Sequence, residues 1–310
     1  MTGRRVALVV NVQARRGEDD FERARIALVR AGVLVAAAHR VTDPRELPAR
    51  VEDEVRAGAT DVVVGGGDGT LSAAAGRLAG RGVALGVLPL GTANDFARTL
   101  GVPPGLDGAA AVVAAGVRRT VDLGWAGERA FLNAASVGVS SALTHRLRGS
   151  RWKRIAGPLA YGVAGAAAAR ELPPFRARLA VDGARTELDA LQVVIGNGRW
   201  HGGGRLVAPG AAPDDETLDV YVLRARSGRR ATHLLALARH AVLLLAGRHL
   251  EHPDVVHARA RRVELETDPP LDVDADGELS GKTPVVVRVA PGALEVLAAT
   301  PPLPMHDQLR

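Results

Sequence analysis

Three consecutive glycines directly after a short buried-strand pattern, in VVVGGGDGTLS from Val62 to Ser72, constrain this chain more than any other stretch. Glycine lets the backbone turn tightly and approach a ligand closely. A helix that follows such a turn offers unpaired N–H groups and a positive dipole end to phosphate. Asp68 falls among these glycines, where a carboxylate beside phosphates is tolerable only with Mg²⁺ between them. Thr70 can cap the helix. A second loop, LPLGTANDFARTLG from Leu88 to Gly101, repeats the plan: a strand, then Gly–Thr, then a helix carrying an acid. Asn94 and Asp95 enter the same crevice as Asp68 when the two strands are parallel neighbours, because such strands end on one edge of a sheet. Asn–Asp is also an ordinary helix start. The pairing of the two loops decides for the crevice.

The surrounding pattern supplies parallel strands. Segments 5–10, 33–38, 61–64 and 83–88 read as strands, alternating with helical spacing at 19–30, 44–57, 71–78 and 93–100. Such alternation implies a parallel sheet with crossover helices. After about Val121 short apolar and β-branched runs take over, bounded by Gly, Pro and Asp, at 175–181, 188–195, 218–223, 263–266 and 285–289. Only 157–170 and 231–245 keep helical spacing there. The expected fold is α/β plus β-rich. A doubly wound parallel-sheet nucleotide-binding domain covers 1–121, and an antiparallel β-sandwich-like domain covers 122–298. Residues from about 299 to 310 can pack back on the first.

Composition narrows the partners. A hydrophobic fraction of 47% supports a globular core, and 40 Lys+Arg against 34 Asp+Glu leaves a net charge of +6. A basic balance favours nucleotide phosphate, acidic lipid or nucleic acid, although Arg on an ordinary surface gives the same balance. Aromatic content of 3%, without basic–aromatic interleaving, argues against a nucleic-acid binder that stacks bases. There is no cysteine, which fits a reducing cytoplasm and excludes disulfides and thiolate metal sites. No stretch reaches the roughly 18 apolar residues of a membrane span, so a soluble or peripheral protein is expected. MTGRRVALVV reads as a first strand and not as a signal peptide. Histidines form no HExxH pattern, and HLEHP at 249–253 reads as loop.

Together these segments resemble the diacylglycerol-kinase catalytic family, which includes sphingosine and ceramide kinases and bacterial lipid kinases. The resemblance runs from NVQARRG at Asn11 to the closing VAPGALEVL. It continues through VDLGW (121–125), FLNAASVGVS (131–140), GNGRWHGGGRLVAPGAAPDDETLDV (196–220) and DADGELSGKTP (274–284). GGDGT alone is shared with NAD kinases; its tandem with NDFAR is specific. The resemblance implies an ATP site at Asn11, Thr42, Gly65, Gly66, Gly67, Asp68, Gly69, Thr70, Leu71, Thr92 and Asn94. It places Asp68 and Asp95 around Mg²⁺ with Asp122 nearby. A second, structural Mg²⁺ would take the carboxylate of Asp215 and the backbone oxygens of Ala212 and Thr217. Asp276 and Glu278 are the implied catalytic carboxylates, with Asp68 beside them. Three departures stand out: Val12 for the usual proline, Ser72-Ala73 for the common Asn-Glu, and Glu216 where glycine is common.

The implied activity is transfer of the γ-phosphate of ATP to the hydroxyl of a lipid such as diacylglycerol. A lipid hydroxyl is a very weak acid, so a carboxylate within hydrogen-bond reach is needed to take its proton. In LDVDADGE the acids Asp272, Asp274, Asp276 and Glu278 alternate, and on one strand all four would share a face, raising one another's pKa. GELSGKT (277–283) is one residue short of a P-loop, and Pro284 breaks the helix that motif requires; Lys282 could still approach phosphate. The cluster HRLRGSRWKR (145–154) suits transient contact with the anionic inner face of a membrane, or is a solvated helix end. Two other readings stay open. One is an NAD kinase-like or other small-molecule kinase. The second is a nucleotide-binding regulator without catalysis, against which Asp68, Asp95, Asp276 and Glu278 are all present. The acyl chain, the headgroup and a homodimeric state are not specified.

Overall fold

The computed structural model describes residues 4–12, 18–142, 173–201, 203–206, 210–226 and 230–299. The basic cluster at 145–154, the helical spacing at 157–170 and the segment 300–310 lie outside them.

Four parallel strands open the chain: β1 (Val6–Asn11), β2 (Val35–Val41), β3 (Asp61–Gly66) and β4 (Ala84–Pro89), in the spatial order β4-β3-β1-β2. β1, β3 and β4 are buried at every position, which is why they appear as continuous apolar runs. β2 lies at the sheet edge and alternates. Helices α1 (Glu18–Arg30), α2 (Leu47–Arg56) and α3 (Asp68–Leu78) make the crossovers, followed by α4 (Asp95–Thr99) and α5 (Leu106–Ala115). The helix expected over 44–57 is two pieces. A 3₁₀ turn at Pro44–Glu46 is capped by the Asp43 side chain accepting from Arg45 N, and α2 follows. The sequence pattern did not reveal α5, whose LDGAAAVVAA is too uniformly small and apolar to display a helical period.

The second half consists mainly of antiparallel strands: β5 (Arg118–Ala126), β6 (Arg129–Phe131), β7 (Ala134–Gly138), β8 (Phe175–Val181), β9 (Ala184–Gly196) and the short pair β10 (Trp200–His201) and β11 (Arg205–Leu206). β12 (Leu218–Arg224), α6 (Arg230–Leu245), β13 (Val255–Ala260), β14 (Arg262–Asp268), β15 (Asp272–Ala275), β16 (Glu278–Lys282) and β17 (Val285–Leu297) complete it.

β17 belongs to both halves. Its first part pairs with β14 and β5; after a register shift between Ala290 and Leu294 it reaches β4, in parallel, at Val296 opposite Leu85. One 15-stranded sheet therefore runs through the molecule, and the division expected after Val121 falls inside β5. The core is nevertheless double. Leu294, Val296 and Leu297 of β17 join the first hydrophobic cluster, around β1–β4, whereas Val285, Val287 and Val289 join the second. Among the described residues, no helix is long and apolar enough to cross a membrane.

Candidate active site

The two glycine loops sit at the carboxyl ends of β3 and β4, and their glycines are needed first by each other. A Cβ on Gly91 would stand 2.4 Å from the Gly67 Cα, one on Gly66 2.6 Å from Thr70 Cγ2, and one on Gly65 2.9 Å from Leu90 Cδ1. None of these three has a positive φ, so the requirement is steric and not conformational. Gly67 is the N-cap of α3 without any side-chain cap bond. Thr70, expected to cap this helix, instead accepts from Asn11 Nδ2 (3.1 Å) and ties the end of β1 to α3. Asn94 has φ +51 and closes the second loop on itself: its side chain accepts from Gly91 N (2.9 Å) and donates to Gly91 O (3.0 Å). Thr42 and Thr92 are exposed just beyond β2 and β4, whereas the Leu71 side chain is in the core, leaving only its backbone to meet a ligand.

The four alternating acids do not share a strand face, which corrects that expectation. The Asp276–Gly277 pair is a two-residue hairpin turn between β15 and β16, with φ of +49 and +84 and with Ala275 opposite Glu278. Asp–Gly favours this turn because both central residues need positive φ. Asp272 pairs with Lys282 (3.0 Å), so the lysine of the failed P-loop is engaged away from the glycine loops. Asp276 turns inward. Its Oδ2 accepts from Ser72 Oγ (2.5 Å) and Leu132 N (2.6 Å), and its Oδ1 from Asn133 N (3.1 Å) and Ala134 N (3.0 Å). Three successive N–H groups thus form a concave anion cradle. Burial pushes the Asp276 carboxyl up, opposed by the His201 charge and by the bonds from Ser72 and Ala134.

Burial likewise lifts Asp274 to about 6, against His201 and the Gly277 N–H, with Asp276 and Glu278 adding to the rise. A folded-state pKa above the unfolded value of about 4 contributes stability that is present below pH 4 and lost as pH rises through 6. Asp274→Asn keeps an acceptor for Gly277 N (3.1 Å) and removes the buried charge. It is expected to stabilise the fold at pH 8 by on the order of 1–3 kcal/mol, with the gain vanishing toward pH 4. Melting curves across that range check the sign; a gain that grows on acidification would contradict it.

Asn133 joins the two halves of the site. Its N–H donates to Asp276, and its Nδ2 donates to Asp68 Oδ1 (3.2 Å), which also accepts from Phe96 N (2.9 Å). Gly69 lies against the hairpin: a Cβ there would be 3.2 Å from Glu278 Cγ and 3.4 Å from Asp276 O. The GGGDGT loop and the DGE turn are therefore already in contact. Burial raises the Asp68 carboxyl, and the charge of Asp95 raises it further. Asp95 is buried and accepts from Gly203 N (3.0 Å) and Gly204 N (2.5 Å). A cleft of ≈ 970 Å³ opens beside these groups, with Asn11, Asp43, Thr70, Ser72, Arg129 and Glu278 among its walls.

Asp122 lies apart from Asp68 in its bonding: it accepts from Glu216 N (2.6 Å) and Gly292 N (2.8 Å). Asp215 Oδ1 accepts from Thr217 N (3.1 Å) and Thr217 Oγ1 (2.9 Å), and its Oδ2 from Ala212 N (2.9 Å) and Arg259 Nη2. A carboxylate has about four lone-pair directions, and four donors converge on that of Asp215. Among the described residues, no three His, Asp or Glu side chains are grouped to hold a metal. For Asp68 the fit is better: a buried carboxylate facing a second one is a pair that a divalent cation relieves. Nothing local in the sequence marks Asn133, Ser72 or His201 for a role; all three lie inside the family-like blocks, and only the tertiary fold brings them to Asp276.

A family model described as "Diacylglycerol kinase catalytic domain" matches residues 5–126, and one described as "YegS C-terminal NAD kinase beta sandwich-like domain" matches residues 133–298. The chain is 38% identical over 257 residues to the Pseudomonas aeruginosa protein named "Probable lipid kinase YegS-like", covering 82% of each. It is 34% identical over 250 residues to the Mycobacterium tuberculosis "Diacylglycerol kinase", covering 78% of each. A crystal structure of a diacylglycerol kinase from Bacillus anthracis superposes with a TM-score of 0.76 at 25% identity, covering 97% of this chain and 99% of that one. Fold and loops thus define an α/β plus β-sandwich-like kinase scaffold. The chain belongs to the family of diacylglycerol kinases and YegS-like lipid kinases.

Proposed function

We propose that the protein transfers the γ-phosphate of ATP to the hydroxyl group of a lipid such as diacylglycerol, with nucleotide on the first core and lipid on the second. One observation carries the reading: Asn133 hydrogen-bonds Asp68 of the glycine loop and Asp276 of the hairpin at once, beside an open cleft. ATP would lie over Gly65–Gly69, the amino end of α3, Thr92 and Asn94, with Asn11 and Thr42 on the neighbouring strand ends. Asp68, with Asp95 beside it, would hold Mg²⁺, which when bound neutralises phosphate charge.

Asp276 is buried and held by four donors, of which the Ser72 hydroxyl also faces the cleft. The proton of the lipid hydroxyl therefore passes to Ser72 Oγ, and the Ser72 proton to Asp276, as the lipid oxygen bonds to phosphorus and the bond to the ADP oxygen breaks. A carboxyl raised by burial accepts that proton more readily than an exposed one. Glu278, on the cleft wall against Gly69, orients the acceptor. Alignment and charge neutralisation supply most of the acceleration in such reactions. The lipid class draws support from the names of the relatives. A substrate that stays in a bilayer also implies transient contact with an anionic membrane surface.

The test is incubation with radiolabelled ATP and detergent-dispersed lipids, with NAD in parallel. Label entering a hydroxyl lipid and not NAD is the expected result. Label on NAD alone would replace this reading with the NAD kinase-like one. Nucleotide binding without transfer to any acceptor would make the protein a regulator.

A further inference from the structure

We propose that Arg259 occupies, on the acidic loop at 212–217, the place a second divalent cation would take, so that this loop is held by the protein's own arginines and binds no metal. Three successive acids on this loop each meet an arginine. Asp214 pairs with Arg119 Nη2 of β5 (2.7 Å), Asp215 with Arg259 Nη2 of β13, and Glu216 with Arg261 Nη2 just beyond β13. The Asp215 carboxylate is filled by four donors, and the Arg259 guanidinium is the only charged one. Arg259 also lies 3.8 Å from Asp219 Oδ2, through its Nε. One planar cation thus serves two carboxylates, which suits arginine's fork of donors better than a compact ion.

The backbone of the loop agrees. Glu216 has φ +59, in the region glycine tolerates best, at a cost of roughly 1–2 kcal/mol for other residues. That conformation is held from both ends: Glu216 N donates to Asp122 Oδ2, and its carboxylate meets Arg261. The side chain that replaces glycine is thereby the one that brings the third arginine in. The loop also reaches the active site by hydrogen bonds. Asn197 Nδ2 donates to Asp122 O (3.3 Å) and to Leu132 O (3.2 Å), and Leu132 N donates to Asp276.

The experiment counts metal ions on the full-length protein without nucleotide, by Mn²⁺ titration followed by electron paramagnetic resonance. Wild type and Asp215→Asn are expected to bind the same number. Arg259→Ala is expected to bind one more, and the Arg259→Ala/Asp215→Asn double variant to lose that extra site. The melting temperature of Arg259→Ala should fall and then recover by a few degrees as Mg²⁺ saturates the vacated place. One fewer ion on Asp215→Asn than on wild type would overturn the proposal. So would an Arg259→Ala protein with no additional site. If Arg259→Ala does not fold, Arg259→Met keeps the length of the stem, and the wild type against Asp215→Asn comparison still decides. No phosphoryl transfer is measured, so the outcome is independent of whether the kinase reading holds.

Discussion

Asp276→Asn is expected to lower the rate of phosphoryl transfer by about 10²–10⁴-fold, the range found when a positioned general base is removed. ATP affinity should change little, because the base acts as the transition state forms. The fold should also suffer. An asparagine amide presents its N–H₂ where one carboxylate oxygen stood. With Nδ2 in the place of Oδ2, the Ser72 hydroxyl can reverse to accept, but Leu132 N then points at a donor. A buried N–H left without a partner costs about 1–3 kcal/mol. The alternative flip also orphans one donor, Ala134 N, because Asn133 N keeps the remaining oxygen at 3.2 Å. Single-turnover kinetics and a melting curve on the same preparation separate the two effects. Activity within about tenfold of wild type would remove Asp276 from the role of base.

Gly91→Ala should be nearly as damaging without touching any titratable group. The new methyl would meet backbone at 2.4 Å (Gly67 Cα) and 3.2 Å (Gly67 N), with Asn94 Oδ1 at 2.8 Å. Neither loop can yield by rotating a side chain. Overpacking of this kind typically costs about 1–3 kcal/mol. Here the displaced atoms are the backbone that would cradle phosphate, so nucleotide affinity should fall together with the melting temperature. Calorimetric titration with ATP and thermal denaturation check both. A Gly91→Ala variant that binds ATP as wild type does would show that the two loops need not touch.

The first half of the fold was legible because buried parallel strands are continuous apolar runs ending at glycine, and β1, β3 and β4 are of that kind. α5 was hidden by having no polar face to mark a period. The site was legible where its residues are neighbours in sequence, as in Gly65–Thr70 and Asn94–Asp95. It was not where long-range packing assembles it. Ser72 and Asp276 are 204 positions apart and meet at 2.5 Å, and nothing local to either announces the other. The hairpin at Asp276–Gly277 did carry a local signal, the Asp–Gly pair, but the alternating acids around it imitated an uninterrupted strand. Around Asp215 the motif positions carry no sign of Arg259, which pairs with it from 44 positions away on another strand.

β17 has a consequence for how the protein comes into being. A chain synthesised from its amino end delivers β1–β4 and β5 early, yet the strand that lies between β4 and β5 is the last of the described elements. While the ribosome still holds that strand, both β4 and β5 present unpaired backbone edges, the surfaces on which nascent chains associate wrongly. The first core also lacks Leu294, Val296 and Leu297 until then. The two halves therefore cannot mature one after the other as beads on a string. Synthesis of nearly all the described chain must precede closure of the sheet, and until then those edges stay open to other chains.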